Sequence, residues 1–134
     1  MYKFLEHEAD IGIQVSSTSL EKMFEEGAKA LFDLMISIKN VKSSKKINIS
    51  CKGNDTETLF VEWLNALLAQ KDIKNMFFSK FEVKIKDNSL KATVYGEKIN
   101  IEKHKPKIEV KAATYSGLKF WKDKKFNVTC LVDV

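Results

Sequence analysis

Two stretches of this chain repeat their apolar residues at helical spacing, while the remaining apolar stretches mostly alternate with a period of two. The first helical stretch, "STSLEKMFEEGAKALFDLM", places Leu20, Met23, Phe24, Ala28, Leu31, Phe32 and Met35 on one stripe. Thr18 and Glu21 stand at capping-box spacing ahead of it. The second, "NDTETLFVEWLNALLAQ", repeats the pattern with Leu59, Phe60, Trp63, Leu64, Leu67 and Leu68 behind a cap at Asn54 or Asp55. Trp63 sits inside a regular stripe and reads as packing. Glu25, Glu26 and Asp33 fall on or beside the polar face of the first helix and read as solvated.

Period two marks the strands. Tyr2 and Phe4 alternate with Lys3 and Leu5, and Ile11, Ile13 and Val15 alternate with Gly12, Gln14 and Ser16. "INISCKG" is a short alternating run. "FEVKIKDNSLKATVYGEKI" reads as a hairpin joined across Asp87, Asn88 and Ser89. "KIEVKAATYSGLKF" supplies a further strand and turn, and "FNVTCLVDV" alternates to the last residue. The strands are not interleaved one by one with helices. This favours, over a doubly wound parallel sheet, an α+β layered sandwich, with a mostly antiparallel or mixed sheet packed on two main helices. At 134 residues and 44% hydrophobic content, the expectation is one domain over residues 1–134.

No run approaches the roughly 18 apolar residues of a membrane span, and "MYKFLEHEAD" lacks the basic and apolar regions of a signal peptide. The expected location is the cytoplasm, with no membrane partner. Cys51 and Cys130 have no CxxC spacing and read as small core residues, a single disulfide between them being the alternative. There is no GxSxG, Walker lysine loop or HExxH, so the chain reads as something other than an enzyme. His7 and His104 would join the cysteines around zinc only through the tertiary fold.

All 23 basic residues are lysine, giving a formal charge of +5 against 18 acids. Arginine's planar fork suits bidentate contacts to guanine or phosphate, so its absence argues against a sequence-reading nucleic-acid module. The charge is uneven: residues 1–38 hold three lysines and seven acids, residues 98–125 nine lysines and three acids. That division predicts an acidic and a basic face. The loop "IKNVKSSKK" is a further lysine cluster, without the aromatic residues that stack bases.

The acids of "HEADIGI" lie at the lip of a strand. Regular alternation sends Asp10 to the side of Gly12, Gln14 and Ser16, away from the apolar triplet. At the other end of the chain Asp133 shares a side with Asn127, Thr129 and Leu131, one peptide before the α-carboxylate of Val134. Gathered carboxylates repel unless a cation or a lysine compensates, and hard oxygen donors suit calcium, magnesium or manganese. Alternation does not determine whether the two ends meet. On a regular strand Lys111 shares a face with Glu109, Ala113 and Tyr115, opposite Ile108, Val110 and Ala112.

"HEADIGI", "DTETLFVEWLNALL", "VKAATYSGLKF" and the "LVDV" ending occur in the order and at the separations found in the archease family, which the chain resembles over nearly its whole length. The resemblance implies a small α+β accessory factor of the RtcB-type RNA ligase of tRNA splicing and RNA repair. Such a factor promotes formation of the ligase's covalent guanylate and its repeated turnover, meeting tRNA only through the ligase. It also implies a metal site made by Asp10, Asp133 and the carboxylate of Val134, with calcium the ion expected and magnesium or manganese the alternatives. Lys111 matches a functionally implicated lysine, and His7 matches as an orienting or structural residue as readily as a ligand, with Glu8 beside it either adding to the acidic site or disturbing it. This sequence departs from the family at Glu8, where Thr is common, and at Ser116, where His commonly follows "TY". The competing expectation is a lysine-rich tRNA-binding module or RNA chaperone using Lys98 to Lys125.

Overall fold

The computed structural model describes every residue except Glu8, and His7 by its backbone alone. The elements run β1 (Tyr2–His7), β2 (Asp10–Ser17), α1 (Leu20–Met35), β3 (Lys45–Lys52), α2 (Thr56–Lys74), β4 (Met76–Lys86), β5 (Ser89–Lys98), α3 (Ile101–His104), β6 (Ala112–Ala113), β7 (Lys119–Lys122) and β8 (Phe126–Asp133). One sheet has the order β1-β2-β8-β6, with β7 also on β8; the other has the order β3-β5-β4. Every pairing is antiparallel. The α+β class and the two main helices are as expected, and of the two sheet options it is the antiparallel one that forms.

Both helices touch strands of both sheets, which explains why their apolar arcs are so wide. α1 buries Met23, Phe24, Ala28, Leu31, Phe32 and Met35 from the expected stripe, together with Gly27, Ala30 and Leu34. The inward positions of β2 and β8, Ile13, Val15, Val128, Cys130 and Val132, are fully buried beneath them. Aromatic edges lock the layers: Phe24 meets Phe60 at 5.2 Å and Phe32 meets Phe78 at 5.4 Å between ring centroids. Trp63 is fully buried and its indole N–H donates to the Phe24 carbonyl at 2.9 Å, as packing requires of a polar aromatic. Gly27 lets the helices close, since a Cβ there would lie 2.5 Å from the Phe60 ring.

Four local expectations are corrected. The cap of α1 is Ser19, whose hydroxyl accepts the Lys22 N–H at 3.1 Å, and Glu21 turns elsewhere. Glu25 and Asp33 are not merely solvated: Glu25 accepts the Val83 N–H at 2.9 Å and Asp33 accepts the Tyr2 hydroxyl at 3.0 Å. The hairpin turn is tighter than expected, with Asp87 and Asn88 at φ 51° and 59° and Ser89 already in β5. Two consecutive left-handed residues give the twist that matches paired strands. Finally, residues 108–115 do not form a regular strand. Val110 and Ala113 are both buried, three apart, and only Ala112–Ala113 pair with β8.

Candidate cation site at the meeting of the chain ends

β2 and β8 are central neighbours because their inward faces are the most apolar strands in the chain, and burying both against the helices sets their register. That register places Asp10, the first residue of β2, directly opposite Asp133, the last of β8. Directly opposed residues point to one face of a sheet with their Cβ atoms about 5 Å apart. Here the face is the outward one, shared with Gly12 and Gln14, as alternation predicted. Both aspartates are half-buried, and neither forms a salt bridge with a described residue. Like charges in this position destabilise a sheet unless something positive lies between them.

Two further groups are brought to the same edge. Asp133 is flanked on its other side by Ala112, and its carbonyl accepts the Lys111 backbone N–H at 2.8 Å. Lys111 is exposed and its ammonium makes no ion pair with a described residue. Because the segment is not a regular strand, its expected sharing of a face with Ala113 fails: Ala113 is buried and Lys111 is not. Val134 follows Asp133, and its side chain packs against the core, which anchors that end of the chain. Among the described residues no three His, Cys, Asp or Glu side chains form a metal-holding group. The α-carboxylate of Val134 comes one residue after Asp133. Two carboxylates in register beside such a group form an all-oxygen donor set, which fits a hard cation and not zinc. His7 pairs with Asp10 through the backbone register; its side chain and Glu8 lie outside the described residues.

Sequence reasoning missed the residue that holds this edge in place. Asn65 of α2 bridges β6, its Nδ2 donating to the Ala113 carbonyl at 3.1 Å and its Oδ1 accepting the Ala113 N–H at 2.8 Å. A polar residue between Leu64 and Leu67 in an otherwise apolar arc was the available signal. The neighbouring "TY" is also structural: Thr114 donates backbone N–H to the Leu131 carbonyl at 2.9 Å, and the Tyr115 hydroxyl donates to Glu62 at 2.7 Å. Cys51 and Cys130 are free thiols, not a disulfide. Burial pushes them up to about 11 and about 12, so both stay protonated and poor as metal ligands at neutral pH.

Residues 2–134 match the model of the Archease protein family. The chain belongs to the archease family. It is 43% identical over 125 residues to the protein archease of Pyrococcus abyssi, covering 90% of this chain and 88% of that one. Against the protein archease of Sulfurisphaera tokodaii it is 35% identical, covering 99% and 98%. The solution structure of Methanobacterium thermoautotrophicum protein 1598 superposes with a TM-score of 0.87 at 31% identity, covering 99% of this chain and 98% of that one. An archease of Thermotoga maritima, described as a possible chaperone, superposes at 0.67 with 25% identity, covering 100% and 98%. Among the described residues no helix is long and apolar enough to cross a membrane.

Proposed function

We propose that this archease-family chain is a cation-binding accessory factor, not itself an enzyme, that stimulates an RtcB-type RNA ligase in tRNA splicing and RNA repair. The observation that carries the reading is the in-register opposition of Asp10 and Asp133, which form no ion pair with a described residue and lie adjacent to Lys111. Asp10, Asp133 and the α-carboxylate of Val134 hold a divalent cation, calcium in preference to magnesium or manganese. Guanylyl transfer develops negative charge on phosphoryl oxygens, and a divalent ion with a lysine stabilises such charge. The edge therefore abuts the ligase's nucleotide centre in the cytoplasm, raising the rate of guanylate formation and allowing multiple turnover. The covalent step belongs to the ligase, and tRNA is met through it.

The test is ligase guanylylation with Asp10→Ala, Asp133→Ala and Lys111→Ala, each verified as folded by circular dichroism. Each substitution is expected to remove most of the stimulation. Loss of either aspartate should also weaken calcium binding by calorimetry about 10-fold or more, the scale on which even supporting groups around a metal act. Full stimulation by all three variants would remove this reading.

A further inference from the structure

The outward face of the β3-β5-β4 sheet, beyond the end where His104 of α3 packs on Phe77, carries six lysines: Lys46 and Lys52 on β3, Lys91 on β5, and Lys80, Lys84 and Lys86 on β4. Against them stand two outward carboxylates on β4 and β5, both engaged: Glu82 accepts the Tyr95 hydroxyl at 2.5 Å, and Glu97 accepts from Lys42, Lys103 and His104. None of the six lysines forms a salt bridge with a described residue. Lys84 and Lys91 are directly opposite each other, with Ser50 across from Lys91 on the third strand. Opposed like charges weaken a sheet, and neither lysine of this pair forms a salt bridge with a described residue. The middle of the face is a depression of about 940 Å³, lined by three of these lysines, Lys80, Lys84 and Lys91, with Asn48, Thr93, Glu82 and Lys29 of α1. Glu25, also on its lining, is occupied by the Val83 N–H.

We infer that this face binds RNA through its phosphate backbone, independently of sequence. Lysines on one face recur about every 6.8 Å along a strand and about every 4.8 Å across strands, a grid of point charges that follows a polyanion in several directions. Ser50 and the Asn48 amide, whose Oδ1 accepts the Thr93 hydroxyl at 3.3 Å, supply neutral hydrogen bonds for phosphate oxygens or 2′-hydroxyls. Lys80 covers the Tyr95 ring at 4.8 Å, which removes the one outward aromatic as a stacking platform and leaves no base readout. An acidic protein is a poorer fit, because the exposed large apolar residues of the molecule all lie elsewhere and give no buried anchor here. For the same reason an anionic membrane is a poorer fit, having nothing apolar to receive. The array differs from the lysine-rich segment 98–125: in that segment Lys103 is tied to Glu97 at 2.8 Å.

The experiment measures fluorescence anisotropy of a labelled, unpaired oligouridine of about 20 nucleotides, longer than one binding site, against the full chain in EDTA. Binding is expected to weaken steeply with salt. Lys84→Gln with Lys91→Gln should reduce affinity about 10-fold and flatten the salt slope by about 1.4, two phosphate contacts' worth for a single strand. The same pair changed to arginine should retain binding. Lys124→Gln with Lys125→Gln, in the β7-β8 turn, should leave it unchanged. Melting temperature separates the result from misfolding, since removing an opposed lysine pair should not lower it. No binding at low ionic strength, equal loss from the Lys124 and Lys125 pair, or tighter binding to phosphatidylserine vesicles than to RNA would overturn the inference. With neither ligase nor calcium present, the outcome is separate from that of the cation-site tests.

Discussion

At the scale of single residues, the tightest polar knot lies at His104, 1% exposed and held at both ring nitrogens. Its Nδ1 accepts the Asn100 N–H at 3.0 Å, so the proton sits on Nε2 and is donated to Glu97 at 2.9 Å. Glu97 also accepts the Lys103 ammonium at 2.8 Å and the Lys42 backbone N–H at 2.8 Å. Burial alone would raise the Glu97 carboxyl, but the bonds from His104, Lys103 and Lys42 outweigh it and hold the group at about 2, below its ordinary 4.5. A depressed carboxylate contributes its full stability above the unfolded value and loses it as pH falls through the folded one. Wild-type melting temperature should therefore fall between about pH 4.5 and 2 by a component that Glu97→Gln lacks. At neutral pH that variant should be less stable by about 2 kcal/mol, the scale of hydrogen bonds to a charged group. Equal pH profiles for the two proteins would show that the knot contributes nothing to folding.

At the scale of elements, α1 protects the edge of a sheet it was expected only to cover. Glu25 accepts the N–H of Val83 and Glu21 that of Ile85, both at 2.9 Å. The spacing is commensurate: four residues of helix rise about 6 Å, and two residues of strand about 6.8 Å. Two glutamates one turn apart thus meet two N–H groups on the same side of β4, closing an edge that would otherwise pair with another chain. Glu21→Ala with Glu25→Ala should speed amide exchange at Val83 and Ile85 selectively and cost about 1–3 kcal/mol per donor left without its partner. Unchanged exchange at those two amides would mean that water replaces the carboxylates without loss. Helical period revealed which side of α1 faces the core, because that side is set by many apolar residues at once. It carried no information on which strand edge would lie beside the flank, so Glu25 looked solvated. The opposite failure occurred at 108–115, where a regular alternation was expected from side-chain type alone. There Asn65 captures both backbone groups of Ala113, which a period-two pattern cannot express.

At the scale of the whole molecule, the chain keeps an opposed acidic pair on one sheet and a lysine array on the other, neither forming a salt bridge with a described residue. Alternation alone was enough to send Asp10 and Asp133 outward. Their opposition was not legible, because it depends on how the two ends pair, which is set by burying Ile11, Ile13 and Val15 with Val128, Cys130 and Val132. The lysine array was not read from the sequence, where the lysine count pointed to residues 98–125, because Lys84, Lys86 and Lys91 become a surface only when the hairpin closes and β3 is added to it. The acidic pair also makes a prediction about the terminus. The partly buried Val134 side chain packs against the core, which on the proposed reading keeps its α-carboxylate near Asp133 and the cation. Appending residues after Val134 replaces that anion with a neutral peptide group, and C-terminal amidation does the same without added bulk. Both changes should weaken calcium binding, measured by calorimetry, by about 10-fold, or 1.4 kcal/mol. Melting temperature in EDTA should hold steady in both, because no packed group is lost. If the extended chain binds weakly while the amidated one binds as before, steric blockage is the cause and the terminal carboxylate is not a ligand. If both bind as before, the two aspartates hold the cation alone.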